Sequence, residues 1–245
     1  MTDSTYPRVL AVSELEVSTT PRHSMVVRVT HWLTTISFFA LVLSGIAILL
    51  AHPRLYWGET GARDGPALLN LPLPFVLDLP LRGPGRYVHF LFAWILIFTG
   101  FVYIVDGLLT RHFSRDLLPP TSELNRQRIG RAIRDHLRLK PSAADEQLTY
   151  NLLQRITYLL VIFVAFPVML WTGLAMSPAI VSVIPTIVTV LGGQQAARTI
   201  HFFTACLLVL FFVVHVAMIC LAGFTERVRA MITGCAPVTK EVVHE

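Results

Sequence analysis

Four long apolar runs constrain the fold of this chain more than any other feature of its sequence. They cover residues 29–51, 87–105, 156–176 and 199–224, and none of them contains Asp, Glu, Lys or Arg. A helix needs about 20 apolar residues to cross a hydrocarbon core of about 30 Å, and lipid offers its backbone no hydrogen-bond partners. The sequence therefore predicts an all-α integral membrane protein, a four-helix bundle.

One domain of residues 25–232 is expected between two tails, residues 1–24 and 233–245. The first run follows a polar tail and precedes no small-residue cleavage site, so it is not expected to be a secretory signal. Only 14% of the residues are charged, whereas soluble domains carry about a quarter. The predicted membrane helices cover residues 27–51, 86–109, 150–176 and 199–224.

Positive charge is distributed unevenly among the connections, and this predicts the orientation of the bundle. The segment between the second and third runs is the most basic, and both tails carry cations, whereas the third-to-fourth connection has only Arg198. The positive-inside rule then places both termini and the central segment in the cytoplasm. Because topology accounts for the charge, no nucleic-acid partner is expected. The cations of the central segment are Arg111, Arg115, Arg126, Arg128, Arg131, Arg134, Arg138 and Lys140.

Two connections are predicted to carry helices that do not cross the membrane. In residues 122–139 apolar side chains recur every fourth position among arginines, which is typical of a basic helix on anionic lipid headgroups. A charged loop that only sets topology is the alternative. Residues 178–191, interrupted by Pro185, are too short to span and are predicted to form a helix at the outer surface. The connection over residues 52–86 is expected to be an ordered outer loop.

The cysteines exclude two kinds of site. Cys206 and Cys220 lie inside the fourth run and Cys235 in the C-terminal tail, so they form neither a disulfide framework nor a CxxC metal pair. No CxxCH motif is present, which excludes covalently attached c-type haem.

Four histidines are the most informative polar residues, because they lie inside the apolar runs where ionisable groups are costly. They are His31, His89, His201 and His215. His201 and His215 are fourteen residues apart, which is about 21 Å along a helix and close to four whole turns. Both are therefore expected on one face of the fourth helix. Any one of them alone could be a satisfied packing residue.

The predicted topology pairs these histidines by depth. The first helix runs outward and the second runs inward, so His31 matches the depth of His215, and His89 matches that of His201. Two pairs on facing helices suit two irons with bis-histidine ligation, that is, two b-type haems. Zinc fits less well, because it takes three or four protein ligands at one point.

Haem propionates need cations, and several arginines lie near the predicted pairs. Arg28 and Arg22 are near the inner pair, and Arg86, Arg82 and Arg198 are near the outer pair. Each could form a bidentate contact with a carboxylate, and each could instead mark the membrane boundary.

These residues resemble the bacterial di-haem cytochrome b subunits, the cytochrome b561 and nickel-hydrogenase cytochrome b class. The resemblance rests on the four histidines and on RVTHW (28–32), HFLFAW (89–94) and YNLLQR (150–155). The loop HPRLYWG (52–58) is similar to the thiosulfate-reductase-like branch, whose members are often paired with a periplasmic molybdopterin oxidoreductase. The class also includes formate dehydrogenase gamma-like subunits of the bacterial inner membrane.

The resemblance implies electron exchange with quinone (menaquinone or ubiquinone) near the inner haem, at a site bordered by Asn151, with Gln154 and Arg155 one turn on. An amide or guanidinium would supply a donor for a quinone carbonyl. Alternatively, Asn151 caps the helix and Arg155 marks the membrane boundary.

The leading hypothesis is a respiratory electron-transfer subunit without a substrate site of its own. It would link quinone to a periplasmic oxidoreductase through the two haems. The alternatives are a stand-alone quinol-linked cytochrome and a non-haem membrane anchor or transporter.

Overall fold

The computed structural model describes residues 20–21, 24–59, 66–71, 84–113, 117–118, 130, 154–221 and 223–236. Within these ranges four helices are long and apolar enough to cross a membrane, which confirms the predicted all-α membrane fold. The helices are α1 (Met25–Ala51), α2 (Gly85–Leu109), α3 (Gln154–Ala175), α4 (Pro178–Val183), α5 (Thr186–Thr189), α6 (Gln194–Leu221) and α7 (Phe224–Thr233). The four long membrane helices are α1, α2, α3 and α6.

Three segments differ from the predicted boundaries or lie outside the described residues. The surface segment over residues 178–191 forms two short helices, α4 and α5, because Pro185 has no N–H for a continuous helix. The last membrane helix ends at Leu221, and Gly223, with a φ of 97°, turns the chain into α7, which was not predicted. The basic helix predicted over residues 122–139 lies outside the described residues, apart from residue 130.

Helices α1 and α2 approach closely because small side chains lie between them. Ser44 and Ala47 on α1 and Gly85 on α2 are buried. A Cβ atom added at Gly85 would lie 3.4 Å from the Cβ of Ala47, so a larger residue would push the helices apart. Close backbone approach through small residues is the usual way that membrane helices pack.

Helix α3 contains a π-helical turn, Val161–Ala165, in which the Phe166 N–H bonds to the Val161 carbonyl. Pro167 follows and has no N–H to donate, so the regular hydrogen-bond pattern cannot continue there. Val161 and Ala165 pack with Leu208 of α6. The π turn thus lies at the α3–α6 contact in the middle of the bundle.

The two ends of the bundle carry different small elements. At one end, here called the tail end, strand β1 (Thr20–Pro21) pairs with β4 (Cys235–Ala236), and the Trp32 indole donates to the Met231 carbonyl of α7 at 3.3 Å. At the other end, the loop end, β2 (Arg54–Leu55) pairs with β3 (Leu69–Asn70). Both described tail strands therefore lie at the same end.

The segment around β2, residues 52–58, is bound through its backbone carbonyls to the first turns of α6. The Gly58 carbonyl accepts from the Gln195 N–H at 2.9 Å, and the Tyr56 carbonyl accepts from the Thr199 hydroxyl at 2.6 Å. Arg198 donates to the His52 carbonyl. Gly193, with a φ of 111°, permits this approach, since a Cβ there would lie 2.6 Å from the Gly58 backbone.

Candidate functional site

The structure brings His89 of α2 and His201 of α6 together near the loop end. Their ring centres are 6.3 Å apart, and the ring planes are inclined by 61°. This is the outer pair predicted from topology, and its two members come from helices that are far apart in the sequence.

Each of these rings has a hydroxyl group at its Nδ1 atom. The Ser44 oxygen of α1 lies 3.0 Å from His89 Nδ1, and the Thr172 oxygen of α3 lies 2.9 Å from His201 Nδ1. Both hydroxyls already donate their proton to their own helix, to the carbonyls of Ala40 at 2.6 Å and Val168 at 2.8 Å.

This pattern favours one of the two neutral tautomers of each imidazole. A hydroxyl has one proton, and a hydroxyl that gives this proton to the backbone can only accept from the imidazole, so the arrangement suits the tautomer with its proton on Nδ1. The Nε2 atom of His89 and of His201 then keeps its lone pair and can bind a metal ion. A second hydrogen bond of this kind also fixes the orientation of a ligating ring.

A glycine follows each hydroxyl residue and lies beside the same ring. A Cβ atom at Gly45 would lie 3.6 Å from the Cε1 atom of His89, and one at Gly173 would lie 3.6 Å from Cε1 of His201. The next nearest ring atom is Nδ1, at 3.9 Å from the added Cβ at Gly45 and 4.0 Å at Gly173, so the missing side chains let α1 and α3 pack closely against the Cε1–Nδ1 edges of the rings. The two halves of the site are therefore alike, with Ser44-Gly45 facing one histidine and Thr172-Gly173 facing the other.

The spacing of the two rings fits one metal ion between them. Metal–imidazole bonds of about 2 Å, with about 1 Å from each nitrogen to its ring centre, place two ring centres about 6 Å apart. The observed 6.3 Å matches this value. Across the described residues no group of three or more His, Cys, Asp and Glu side chains could hold a metal ion. A two-histidine site suits a haem iron, whose other ligands come from the porphyrin.

The tail end of the bundle contains the other two predicted ligands. His215 of α6 lies under the Phe211 ring, with ring centres 5.7 Å apart, and its Nδ1 is 3.4 Å from the Tyr158 hydroxyl of α3. His31 of α1 lies edge-on to Trp32, with ring centres 5.4 Å apart. The pairing of His31 with His215 stays a prediction.

The whole described bundle matches one family of membrane proteins. Residues 22–234 match the prokaryotic cytochrome b561 family. The chain belongs to this family. It is similar to a protein of Azospira oryzae named as a candidate subunit, YedZ1, of a protein-methionine-sulfoxide reductase. The two are 32% identical over 217 residues, which cover 86% of this chain and 96% of the relative. No solved structure matches the chain.

This cytochrome is therefore a multi-pass haem protein of the bacterial inner membrane, and the family implies b-type haem. The loop-end site fits that cofactor, because its two imidazoles have a spacing that suits one iron, and each has at its Nδ1 a hydroxyl that can orient the ring.

The arginines predicted near the propionates have different surroundings. Arg198 contacts the loop backbone at His52, and Arg86 is exposed in the first turn of α2. Arg28 has a buried Nε without a hydrogen-bond partner among the described residues, and it lines an open groove with Trp32 and Met231. Arg22 and Arg82 lie outside the described residues.

The predicted quinone residues are only partly described. Asn151 lies outside the described residues, whereas Gln154 and Arg155 form the first turn of α3. The Gln154 side chain donates to the Tyr158 hydroxyl at 2.6 Å. Tyr158 was not singled out from the sequence, although its position one turn after Gln154 places both side chains on one helix face.

Proposed function

We propose that this cytochrome carries electrons between quinone at the tail end and an oxidoreductase subunit at the loop end. Two b-type haems would be held by His31 with His215 and by His89 with His201. The tail end would face the cytoplasm, because the tails and the central segment carry most of the cations. The chain would serve as the electron-transfer subunit of a complex in the respiratory chain.

The observation that supports this proposal most strongly is the His89–His201 pair. Each imidazole has at its Nδ1 a hydroxyl that is also within hydrogen-bond distance of a carbonyl of its own helix, and this arrangement favours the tautomer with a lone pair at Nε2. A bound haem iron supplies one-electron oxidation and reduction between its ferric and ferrous states. The protein residues supply ligation, fixed ring orientation and an apolar environment.

A second histidine on α6 supports electron transfer from one membrane surface to the other. His215 follows His201 by fourteen residues of α6, about 21 Å along the helix axis. It also has a hydroxyl of α3 near its Nδ1, as His201 does. The same helix thus offers one ligand near each membrane surface, which is what transfer across a bilayer requires.

The loop end has the features of a docking surface. The side chains of Trp57 and Leu68 are 59% and 58% exposed, although the loop backbone is bound to α6. Exposed aromatic residues on an ordered backbone are typical of protein contact sites. Because Thr199, which holds the loop, lies two residues before His201, a partner there would sit near the outer haem.

The name of the Azospira relative suggests the class of this partner, a subunit that reduces methionine sulfoxide in proteins. Reduction of a sulfoxide to a thioether takes two electrons and two protons and releases water. Electrons would then run from quinol to the loop end. The similarity of residues 52–58 to the thiosulfate-reductase-like branch favours a molybdopterin-dependent partner.

Two measurements on one preparation test this proposal. The cytochrome with a C-terminal tag is purified in a mild detergent, and proteins that co-purify are identified. A short-chain quinol is then added, and reduction is followed at the haem α band. We expect a periplasmic oxidoreductase subunit to co-purify and quinol to reduce the haem.

Each failure has a separate meaning. Haem that quinol cannot reduce would contradict the quinone link. Quinol-reducible haem without any co-purifying subunit would contradict the partner and favour a stand-alone quinol-linked cytochrome. A His201→Ala variant serves as the control for signal from the loop-end site.

A further inference from the structure

Helices α3 and α6 run antiparallel, and two hydroxyls on α3 face two histidines on α6 at equal spacing. Thr172 and Tyr158 are fourteen residues apart, as are His201 and His215. Thr172 lies 2.9 Å from His201 Nδ1, and Tyr158 lies 3.4 Å from His215 Nδ1. Tyr158 therefore holds at the tail end the position that Thr172 holds at the loop end.

The two hydroxyls differ in where their protons go. The Thr172 hydroxyl donates to the Val168 carbonyl of its own helix at 2.8 Å. The Tyr158 oxygen stands at the far edge of an aromatic ring, beyond reach of that carbonyl position. It instead accepts from the Gln154 amide at 2.6 Å. Its other hydrogen-bond neighbour in the described part of the chain is Nδ1 of His215, at 3.4 Å, which accepts the phenol proton only when it carries no proton of its own.

Haem ligation by His215 would leave the Tyr158 O–H as an unused hydrogen-bond donor. If Nε2 of His215 ligates iron, its Nδ1 carries the proton and donates towards Tyr158. The phenol oxygen would receive hydrogen bonds from Gln154 and from His215, and its own O–H would remain to be donated. The separation of 3.4 Å is long for a hydrogen bond, but such contacts often shorten when the ligand is bound.

We propose that the Tyr158 hydroxyl donates a hydrogen bond to a carbonyl oxygen of the quinone at the tail end. This inference rests on the proposed function and names a residue that positions the quinone beside the His215 site. A quinone head group is a flat apolar ring with two carbonyl acceptors. Phe211, whose ring lies edge-on to Tyr158 at 6.1 Å, offers it an apolar wall, and Gln154 is exposed at the entrance.

The test replaces Tyr158 by Phe in the full, haem-loaded chain. The variant keeps the ring and removes only the hydroxyl. Tyr103→Phe is the matched control, because Tyr103 lies on α2 and contacts the Phe113 ring. A quinone labelled with ¹³C at its carbonyls is bound, and its carbonyl stretch is recorded by infrared difference spectroscopy. The quinol concentration needed for half-maximal haem reduction is measured in parallel.

We expect the carbonyl band of one oxygen to move to higher frequency in Tyr158→Phe, because a hydrogen bond weakens the C=O bond. The half-saturating quinol concentration should rise roughly three- to tenfold, as for the loss of one hydrogen bond. The haem content of Tyr158→Phe should match that of the wild type. Tyr103→Phe should match the wild type in its carbonyl bands and in its quinol dependence.

Two results with Tyr158→Phe would overturn the inference, and a third result, with the wild type, would overturn the proposed function instead. An unchanged carbonyl band and quinol dependence in Tyr158→Phe would overturn the inference. Loss of the tail-end haem from that variant would also overturn it, since Tyr158 would then act on ligation. If the wild-type protein itself neither binds the labelled quinone nor accepts electrons from quinol, the proposed function fails, independently of Tyr158.

Discussion

At the scale of residues, two hydroxyl groups lie at the Nδ1 atoms of the loop-end histidines, His89 and His201. The hydroxyls of Ser44 and Thr172 lie within hydrogen-bond distance of these Nδ1 atoms and of a carbonyl of their own helix, which suits acceptance of a hydrogen bond from Nδ1–H. Such a contact makes an imidazole more basic and holds its ring plane in place. The hydroxyls should therefore influence both the affinity for haem and its reduction potential.

Thr172→Val tests this role, because it replaces the hydroxyl by a methyl group of similar volume. We expect haem affinity at the loop-end site to fall by about 10- to 100-fold, the usual cost of losing an outer hydrogen bond. Haem that remains should have a higher reduction potential, because a less basic imidazole stabilises the ferric state less. Potentiometric titration of the α band measures the potential, and Thr172→Ser should behave like the wild type.

The glycines beside the rings give a second residue-scale prediction. Gly173→Val would place methyl groups against the Cε1–Nδ1 edge of His201, so it should displace this ring and remove the loop-end haem, while the chain still inserts in the membrane. Gly100→Val is the matched control, because a Cβ at Gly100 meets no described atom within 4 Å. Haem content is measured from the pyridine haemochrome spectrum. Equal haem content in the two variants would show that haem binding does not depend on the position of the His201 ring beside Gly173.

The sequence shows small-residue pairs at Ser44-Gly45, Thr99-Gly100 and Thr172-Gly173, but not what each pair faces. Two of them lie against histidine rings, whereas Gly100 does not. Which pairs face a histidine ring depends on how α1 and α3 are rotated about their axes. Helix α3 also contains a π turn, which changes the direction in which its later side chains point. Helical spacing alone therefore cannot separate the pairs that contact a ring from the pair that does not.

At the scale of elements, the loop-end strand segment and α6 form one unit. The carbonyls of Tyr56 and Gly58 are held by Thr199 and Gln195 in the first turns of α6. A protein that docks on this loop would therefore contact a backbone connected within a few residues to His201. Under the proposed function, the exposed side chain of Trp57 would contact the partner at this point.

Trp57→Ala tests this docking surface. We expect binding of the co-purifying oxidoreductase subunit to weaken at least about tenfold, as for a central aromatic contact. Haem content and spectra should not change, because Trp57 is not part of the histidine site. Trp94→Ala is the control, since Trp94 is also exposed but lies in the membrane-spanning part of α2. Unchanged binding after Trp57→Ala would exclude this side chain from the interface.

The membrane helices could be predicted from the sequence because lipid permits few backbone structures, whereas the smaller elements depend on local detail. Helix α7 begins after the left-handed Gly223, and Pro185 divides the outer surface segment into α4 and α5. Apolar length alone does not reveal such turns. The π turn before Pro167 likewise depends on the one N–H that proline lacks, and a hydropathy profile does not indicate it.

At the scale of the whole molecule, topology predicts two histidine pairs by depth, and the pair of His31 with His215 stays a prediction. The structure places His89 and His201 together, and both described tail strands lie at the opposite end from the β2–β3 pair. Depth follows from the order of four antiparallel helices, so it could be predicted from the sequence. Hydrogen-bond partners such as Tyr158 could not, because they depend on contacts between helices.

The orientation in the membrane can be tested by labelling single cysteines. In a chain whose Cys206, Cys220 and Cys235 are replaced by Ser, Leu68→Cys marks the loop end and Ile232→Cys marks the tail end. Both positions are exposed. A thiol reagent that cannot cross the membrane should label intact spheroplasts at position 68 only. Labelling at position 232 instead would invert the proposed direction of electron transfer.

The number of haems per chain tests the central claim most directly. The purified protein should contain two b-type haems for each polypeptide. His201→Ala and His215→Ala should each retain one, and the two remaining haems should have different reduction potentials. A single haem in the wild type, or a full complement of two in either variant, would contradict a pair of histidine sites that share α6.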